Sequence, residues 1–438
     1  MDTSIRASGP VRQVMLRRGR DLIPGAAMAR GPVETRAVDS VALLARDYPG
    51  LTLDPQVTVG ERVVAGQAIC RDRHHAEIVL TSPVAGTVAH VLRGRRRRLE
   101  TLVISVEEDG AAQPALTFDH GSAASEAQAL RDLLLQSGAW AGFRARPFGR
   151  VPDPQARPAA ILVSATETSP WGADPVAVLA GQLDRFQRGL AALPRLTGGP
   201  VYLCQPPAAD FADPAPGLVV VEVSGPHPSG QPGPQIHHLH PATPEHPVWQ
   251  IGYQEVLAIG HLLETGRVSG QRMVSLSGPD LAEPRLVRAP LGAELADLTR
   301  GLREDGDPRP LSGSILDGRD QDYLGRHDLQ VTLPGPATKG APLPPLWQRL
   351  LARLPRPAPG SAALLPMETF ESVFPFDILP VPLMRALAVG DVESAERLGC
   401  LELLEEDMAL LSWHCVSGSD YGALLRRMLD RLAEEAGT

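Results

Sequence analysis

Two short β-rich segments between Val57 and Val88 constrain the fold of this chain more than any other part of its sequence. The first reads Val-Thr-Val-Gly-Glu-Arg-Val-Val-Ala-Gly-Gln, and the second reads Thr-Ser-Pro-Val-Ala-Gly-Thr-Val. Gly60 and Gly66 fall where short strands must reverse direction, because glycine reaches positive φ without a Cβ clash. The valines supply β-branched side chains that suit a pleated surface. These segments therefore predict paired short strands joined by tight turns.

The joint spacing of the glycines and valines resembles the two halves of a biotinyl/lipoyl carrier domain. That domain is a small β-sandwich with a modifiable lysine on its central hairpin, and the alternative here is an ordinary pair of hairpins. The segment between Cys70 and Thr81 contains no lysine, and Lys339 is the only lysine of the chain. We therefore expect the carrier fold without the carrier chemistry, and no lysine-based reaction unless Lys339 serves it.

The bulk composition bounds the class of protein. A chain of 438 residues is long enough for about three or four domains. Its net charge of −9 argues against broad nucleic-acid binding. The four cysteines are scattered without a Cys-x-x-Cys pair, which argues against a zinc ribbon or a local iron–sulfur cluster. The start lacks a signal peptide and no apolar run approaches about 18 residues, so we expect a cytoplasmic protein, with a peripheral membrane location left open.

Pattern and composition divide the chain into six parts of a multidomain α/β and β protein. We expect a flexible leader at 1–30, a biotinyl/lipoyl-like barrel-sandwich domain at 31–120, a Rossmann-like α/β domain at 121–268, a β-grasp domain similar to soluble-ligand-binding β-grasp (SLBB) modules at 269–335, a proline-rich linker at 336–362 and a helical C-terminal domain at 363–438. Within these parts we predict, among others, helices at Val176–Leu193, Ala293–Leu302, Glu405–Leu411 and Tyr421–Glu435, and helix N-caps at Asp391 and Asp420.

The α/β segment lacks the loop that a dinucleotide site requires. No two of the 42 glycines are separated by a single residue, so Gly-x-Gly-x-x-Gly does not occur. The nearest substitute is the loop from Gly225 to Gly233, which could cradle an anion, but its three prolines remove three amide donors. We therefore predict that this chain binds neither NAD nor FAD.

The segment Trp140–Arg150 is the most distinctive candidate site. It places three aromatic residues and three arginines within eleven positions, in a chain with only 4% aromatic residues. Flat rings beside guanidinium groups suit a planar, electron-poor ring or an anionic partner surface. The alternative, which does not exclude the first, is an interdomain hinge that packs its aromatic residues into a neighbouring domain.

Two further clusters have simpler explanations. His237, His238 and His240 could bind zinc, but no cysteine or carboxylate stands at ligand spacing, and on a strand alternate side chains face opposite ways. We expect these histidines to be structural. The run Arg93–Arg98 predicts a solvated hairpin tip, or else a docking point for an acidic partner or for lipid headgroups.

The order of several motifs identifies a family. They are Leu16-Arg-Arg-Gly-Arg-Asp-Leu-Ile-Pro-Gly, Thr81-Ser-Pro-Val-Ala-Gly-Thr-Val, Arg144-Ala-Arg-Pro-Phe-Gly-Arg-Val-Pro, Gly225-Pro-His-Pro-Ser-Gly, Val248-Trp-Gln-Ile-Gly-Tyr-Gln-Glu-Val-Leu-Ala-Ile-Gly, Gly278-Pro-Asp-Leu-Ala-Glu-Pro-Arg-Leu-Val-Arg, Tyr323-Leu-Gly-Arg, Phe376-Asp-Ile-Leu-Pro and Gly399-Cys-Leu-Glu-Leu. Over nearly the whole chain they resemble the NqrA family, which supplies one subunit of the Na⁺-translocating NADH:quinone reductase. The front end also resembles RnfC of the Rnf complex, whose cysteine-rich cluster motifs and glycine-rich nucleotide loop are missing here.

This resemblance implies a function in the bacterial respiratory chain. It implies a peripheral subunit on the cytoplasmic side of the inner membrane, bound to the other members of a sodium pump of six subunits and especially to a membrane-embedded one. NADH oxidation, flavins (FAD/FMN) and iron–sulfur centres would belong to other subunits, and ubiquinone is the one ligand expected near this chain. We expect the quinone-proximal or partner-proximal residues to be Trp140, Phe143, Arg144, Arg146 and Phe148. We expect no bound metal and no catalysis by the isolated chain, and the alternative is a cofactor-free scaffold. A third alternative is a solitary enzyme acting on sugar or nucleotide substrates.

Overall fold

The computed structural model describes residues 3–8, 11–23, 26–107, 115–123, 125–279, 281, 283–302, 308–334 and 364–437. The linker predicted at 336–362 therefore lies outside the described residues. Among the helices within those ranges, none is long and apolar enough to cross a lipid bilayer.

The chain begins with two strands rather than with a flexible leader. These are β1 (Thr3–Ser8) and β2 (Val11–Leu16), which pair antiparallel. Strand β2 also pairs in parallel with residues Leu218–Ser224 of the α/β domain. Val14 and Leu16 are each only 1% exposed, so the alternation of buried and exposed positions that defines a strand is present. The prediction of a flexible extension is wrong because the arginines of this segment mask that alternation.

The carrier-like domain is a sandwich of two small sheets, and this part of the fold prediction is confirmed. After the two-residue strand β3 (Glu34–Thr35), its strands are β4 (Ser40–Leu44), β5 (Leu53–Pro55), β6 (Arg62–Val63), β7 (Ala68–Asp72), β8 (Val79–Thr81), β9 (Gly86–Arg93) and β10 (Leu99–Val106). The sheet orders are β4-β10-β9-β6 and β5-β7-β8. Gly60 and Gly66 turn the chain at φ 88° and 84°, as the sequence predicts. Val63 and Val88 are buried between the sheets.

The second domain is a Rossmann-like α/β layer, also as predicted. Its elements are α1 (Ala127–Gln136), β11 (Arg144–Arg146), β12 (Ala160–Ser164), α2 (Pro175–Leu179), α3 (Leu183–Ala192), β13 (Val201–Gln205), β14 (Leu218–Ser224), α4 (Pro232–Leu239), β15 (Val248–Gly252) and α5 (Tyr253–Thr265). The seven-stranded sheet has the order β1-β2-β14-β13-β12-β15-β11, with parallel pairing from β2 through to β15. The single helix predicted at Val176–Leu193 is wrong, because Gly181 at φ 73° separates α2 from α3.

The third domain is the β-grasp module. It contains β16 (Gln271–Ser277), β17 (Arg285–Pro290), α6 (Leu295–Leu298), β18 (Leu311–Ser312), β19 (Arg319–Asp320) and β20 (Gln330–Thr332). Strand β3 extends its sheet by pairing in parallel with β17, so the N-terminal segment joins two domains. The helix predicted at Ala293–Leu302 shortens to α6, since Ala293 instead forms a bridge to Val41 of the carrier-like domain.

The C-terminal domain is helical, as predicted. Its helices are α7 (Glu368–Val373), α8 (Pro380–Val389), α9 (Val392–Arg397), α10 (Ala409–His414) and α11 (Tyr421–Glu435). The predicted N-caps are confirmed: Asp391 accepts the amide of Ser394 and Asp420 accepts the amide of Ala423. The helix predicted at Glu405–Leu411 is instead a short 3₁₀ turn, Glu405–Met408, that leads into α10.

Candidate functional site at an interdomain cleft

All four domains contribute to one cleft of about 910 Å³. The carrier-like domain supplies Arg46 and Asp47, and the α/β domain supplies Gly142, Arg144 and the ends of β15 and α5. The β-grasp domain contributes residues 316–319 and 325–329, and the helical domain contributes Glu405, Glu406, Trp413 and seven residues between 418 and 427. Ligand sites favour such concave junctions between domains, so this cleft is the candidate site.

The carboxyl end of strand β15 opens into this cleft. Gln250 to Gly252 close strand β15, and helix α5 begins immediately afterwards at Tyr253. Strand β12 lies between β13 and β15, so the order of the strands reverses at β12: the chain runs from β12 to β13 and β14 on one side and returns to β15 on the other. Ligands of open α/β sheets bind outside the carboxyl ends of the strands, and the cleft lies at that end of β15.

A buried charge triad forms one wall. The Glu255 carboxylate lies 2.6 Å from Arg272 Nη2 and 3.1 Å from Arg326 Nη2. Burial alone would raise the pKa of Glu255, but the two guanidinium groups hold it at about 2. Because Glu255 lies on α5 and both arginines belong to the β-grasp domain, the triad locks these two domains together. Glu255 is therefore ionised at neutral pH.

A second charge cluster lies between the α/β domain and the helical domain, and its Arg144 and Glu406 line the cleft. Arg144 Nη1 donates to Glu406 Oε1 at 3.1 Å, and Arg146 Nη1 donates to Asp407 Oδ2 at 2.7 Å. Arg146 and Asp407 are both 0% exposed. Although burial opposes ionisation of Glu406, the two arginines hold its pKa at about 2. Burial raises the pKa of Asp407, which is set deeper in the protein.

Some polar groups at the cleft keep unused hydrogen-bonding capacity. Within the part of the chain that the structure describes, Arg326 Nε and Gln231 Oε1 are buried without a hydrogen-bond partner. Trp413 also lines the cleft, with 51% of its surface exposed. A buried donor without a partner is costly unless a ligand or water satisfies it. The residues that line the cleft therefore include an exposed aromatic side chain, and two of them carry a buried donor and a buried acceptor without a partner.

Of the five residues predicted for the site, Arg144 alone lines the cleft. Trp140 and Phe143 are fully buried in the core of the α/β domain, where both pack against Trp249 with ring centroids 5.2 and 5.5 Å away. The Trp140 indole N–H donates to Pro152 O at 2.9 Å. These rings have no face open to a ligand, so their role in this structure is packing.

Arg146 and Phe148 connect domains. Arg146 Nε donates to Gln250 Oε1 at 2.7 Å, and its Nη1 also donates to Glu402 O at 2.7 Å. Phe148 adopts a left-handed φ of 78° and packs against the core of the helical domain. Arg426 of that domain donates to Phe148 O at 2.7 Å. The segment Trp140–Arg150 is thus an interdomain connection in which Arg144 and Arg146 bind carboxylates of the helical domain.

The histidine cluster lies on helix α4 and its C-terminal end, not on a strand. His237 Nδ1 lies 2.6 Å from Glu402 Oε2, and His237 Nε2 accepts the amide of Asp377 at 3.2 Å. Both ring nitrogens are therefore engaged by the helical domain. Across the ranges that the structure describes, no group of three or more His, Cys, Asp or Glu side chains could hold a metal ion.

Comparison with known proteins decides the family. Profiles of the NqrA N-terminal barrel-sandwich hybrid domain, the NqrA second alpha/beta domain and the NQRA C-terminal domain match residues 14–107, 125–268 and 273–322. The NqrA subunit of the Na(+)-translocating NADH-quinone reductase of Cellvibrio japonicus is 38% identical over 453 residues, covering 96% of this chain and 100% of that protein. The chain belongs to the NqrA family of Na⁺-translocating NADH-quinone reductase subunits. The family resemblance predicted from the motifs is thereby confirmed.

Other members of the NqrA family show the same extent of similarity. The NqrA protein of Pseudomonas aeruginosa UCBPP-PA14 is 39% identical over 445 residues, again covering 96% of this chain and all of that protein. Among solved structures, an air-oxidized NAD⁺-reducing [NiFe]-hydrogenase aligns with a TM-score of 0.36 and 15% identity over 49% of this chain and 47% of that one. That likeness is too low to support an argument about fold or function.

The family motifs contain the charged residues that sequence reasoning missed. Glu255 lies within the motif that starts at Val248, and Arg326 closes Tyr323-Leu-Gly-Arg. They meet only because α5 packs against the β-grasp domain, 71 residues later in the chain. The presence of Glu255 and Arg326 in two family motifs was the signal in the sequence that could have pointed to them. The sequence does not show that these two side chains form an ion pair.

Proposed function

We propose that this chain is a peripheral subunit of a Na⁺-translocating NADH:quinone reductase of the bacterial respiratory chain. In this proposal it lies on the cytoplasmic side of the inner membrane, bound to the other members of a complex of six subunits and especially to a membrane-embedded one. The observation that supports it best is similarity to a named Na(+)-translocating NADH-quinone reductase subunit over 96% of this chain and 100% of the relative's length. NADH oxidation, the flavins and the iron–sulfur centres belong to other subunits.

We further propose that the interdomain cleft contributes to quinone binding or access. A quinone headgroup is a flat ring with two carbonyl acceptors, so it requires an aromatic or apolar face and N–H donors at the ring edge. Trp413 offers the face, and Arg326 Nε, buried in the wall of the cleft, is a donor without a partner among the described residues. The cleft volume of about 910 Å³ is in the range of small-molecule sites. Arg144 is the predicted site residue that this proposal retains.

The second candidate is a scaffold that organises partner subunits without a ligand of its own. It is favoured by the cleft walls, where most guanidinium groups are already paired with carboxylates of the chain. The two functions differ in one observable property, which is saturable binding of a quinone to the isolated chain.

Titration of the purified full chain with a short-chain ubiquinone tests the proposal. We expect saturable quenching of tryptophan emission that is strongly reduced in Trp413→Phe. The matched control is Trp171→Phe, because Trp171 does not line the cleft. Arg326→Met should weaken the binding measured by calorimetry. Quenching that rises linearly with quinone, or equally in both tryptophan variants, would leave the scaffold function.

Membership of the complex is tested separately by affinity purification of the tagged chain from mildly solubilised native membranes. We expect NADH:quinone reductase activity to co-purify with it. Purification of the chain alone, with all reductase activity left behind, would contradict its membership of the reductase whatever the quinone titration shows.

A further inference from the structure

The tip of the β9–β10 hairpin carries a dense cluster of positive charge. Five of the six residues from 93 to 98 are arginines, and all five side chains are exposed. The strands on either side pair antiparallel up to Arg93 opposite Leu99, with a bulge after Leu99, so the hairpin ends in this tip. We call residues 92–98 the arginine tip.

No described carboxylate forms an ion pair with the arginine tip, although the carboxylate of Glu100 lies against Gly94 at its base. In the interior, Arg144, Arg146, Arg272 and Arg326 each meet a carboxylate. By contrast, none of the arginines of the tip forms an ion pair with any carboxylate among the residues that the structure describes. Five like charges within six positions repel one another, and this repulsion is relieved when an anionic surface binds them.

The tip is held in one conformation by its own backbone. Arg96 and Arg97 both adopt left-handed φ values, 57° and 59°, which residues with side chains rarely do. The amide of Gly94 donates to Arg98 O at 2.9 Å, and the amide of Arg97 donates to Gly94 O at 3.1 Å. Arg93 Nη1 donates to Arg97 O at 3.2 Å. The guanidinium groups are therefore presented together on a projecting turn rather than in a groove.

An apolar side chain accompanies the charges. Leu92, directly before the first arginine, is 52% exposed on the same hairpin. A projecting turn that joins clustered cations to an exposed leucine suits the boundary of an anionic membrane, where headgroups meet the cations and acyl chains receive the leucine. An acidic protein partner would instead be expected to meet a shaped surface with individually paired charges.

We propose that the arginine tip is a docking site for anionic lipid headgroups. The inference rests on the proposed location of the chain beside the membrane. The whole chain carries a net charge of −9 and would be repelled by an anionic surface if its full charge acted. Screening limits electrostatic interactions to about 8–10 Å at physiological ionic strength, so the membrane interacts with the tip and not with distant carboxylates.

The expected strength follows from the number of charges. A basic residue near an anionic membrane surface strengthens binding by about fivefold. Removal of three arginines should therefore weaken vesicle binding by about a hundredfold. Raising the salt concentration should also weaken vesicle binding, whereas the contribution of Leu92 burial to that binding should not depend on salt.

Vesicle flotation of the purified full chain tests the proposal. The probes are vesicles of phosphatidylcholine alone and of an equimolar mixture of phosphatidylcholine and phosphatidylglycerol. The test variant is Arg95→Gln/Arg96→Gln/Arg97→Gln. The matched control removes the same charge from scattered exposed positions, in Arg188→Gln/Arg288→Gln/Arg385→Gln. Leu92→Ser tests the apolar contribution, and circular dichroism checks that each variant is folded.

We expect the wild type and the scattered control to float with the anionic vesicles and not with phosphatidylcholine alone. The tip variant should lose about a hundredfold in binding, and Leu92→Ser should lose less. Equal loss in the tip variant and the scattered control would overturn the proposal, because only net charge would then matter. Absence of wild-type flotation at low salt would also overturn it. If the wild type does not float and the tip variant also loses its partner subunits, the tip would instead be a docking site for an acidic protein.

The vesicle experiment and the test of the proposed function can fail separately. Vesicle binding by the purified chain requires neither quinone nor reductase activity. If the chain floats with vesicles but does not co-purify with the reductase, the lipid-docking proposal stands and the proposal of complex membership fails. If the chain co-purifies with the reductase but does not float, complex membership stands and the lipid-docking proposal fails.

Discussion

The fully buried pair Arg146–Asp407 offers the most decisive test of how the α/β and helical domains are joined. Both side chains are 0% exposed and their charged atoms lie 2.7 Å apart. The variant Arg146→Met removes the cation while roughly keeping its volume. It leaves the Asp407 carboxylate buried with only the Leu404 amide, 2.8 Å away, as partner. Breaking a buried pair in this way typically costs about 3–5 kcal/mol, and we expect Arg146→Met to fall in that range.

The reciprocal variant should cost less. Asp407→Asn keeps an acceptor for the Leu404 amide, and Arg146 retains its hydrogen bonds to Gln250 and to Glu402 O. We expect a loss of about 2 kcal/mol. The double variant Arg146→Met/Asp407→Asn contains no uncompensated charge, so its loss should be smaller than the sum of the single losses by about 2 kcal/mol.

Urea unfolding followed by tryptophan emission measures these free energies, with Trp413 reporting on the helical domain. The matched control is Arg185→Met, which breaks an ion pair with Glu264 whose two side chains are 36% and 37% exposed. Exposed pairs contribute about 1 kcal/mol or less. The reasoning is refuted if Arg146→Met costs no more than Arg185→Met, or if the two single losses at Arg146 and Asp407 simply add.

Three further predictions follow from other parts of the fold. Gly260→Ala should cost about 2 kcal/mol in urea unfolding, because its Cβ would lie 1.8 Å from Arg185 O, whereas Gly198→Ala, which meets open space, should be neutral. Glu255→Gln should lose on the order of 3 kcal/mol at pH 7, since two arginines hold the pKa at about 2 instead of 4.5. The unfolded chain binds more protons between these values, so this difference should shrink as pH falls from 4.5 to 2. Asp420→Ala should lower the melting temperature of the helical domain through loss of about 1 kcal/mol of capping energy, and an unchanged melting temperature would count against the cap.

Local patterns predicted much of the secondary structure. The helix predicted at Tyr421–Glu435 has those bounds in the structure, and its Asp420 cap is in place. Such helices are specified by an apolar stripe of helical period and by a capping side chain within a few residues of the start. The carrier-like domain could also be predicted from local sequence, because Gly60 and Gly66 mark turns that require positive φ.

Elements that depend on distant partners could not be predicted from local sequence patterns. Strand β2 forms because β14 offers it an edge some 200 residues later, and the histidines that suggested a strand lie on α4 instead. The candidate site depends on the same kind of contact. Arg144 was found from local composition, but the Glu255 triad needs three segments that only the folded chain brings together.

The two buried charge systems also determine what kind of cleft this chain has. Glu255 lines the cleft and ties the α/β domain to the β-grasp domain. Arg146 with Asp407 ties the α/β domain to the helical domain, next to the cleft-lining pair of Arg144 and Glu406. Apolar contacts tolerate sliding, whereas a buried ion pair is favourable only in one geometry, because displacement leaves a desolvated charge without a partner. We infer that these pairs fix the relative position of the three domains. A ligand that enters between Trp413 and Arg326 then meets a preformed opening and loses little binding energy to domain rearrangement.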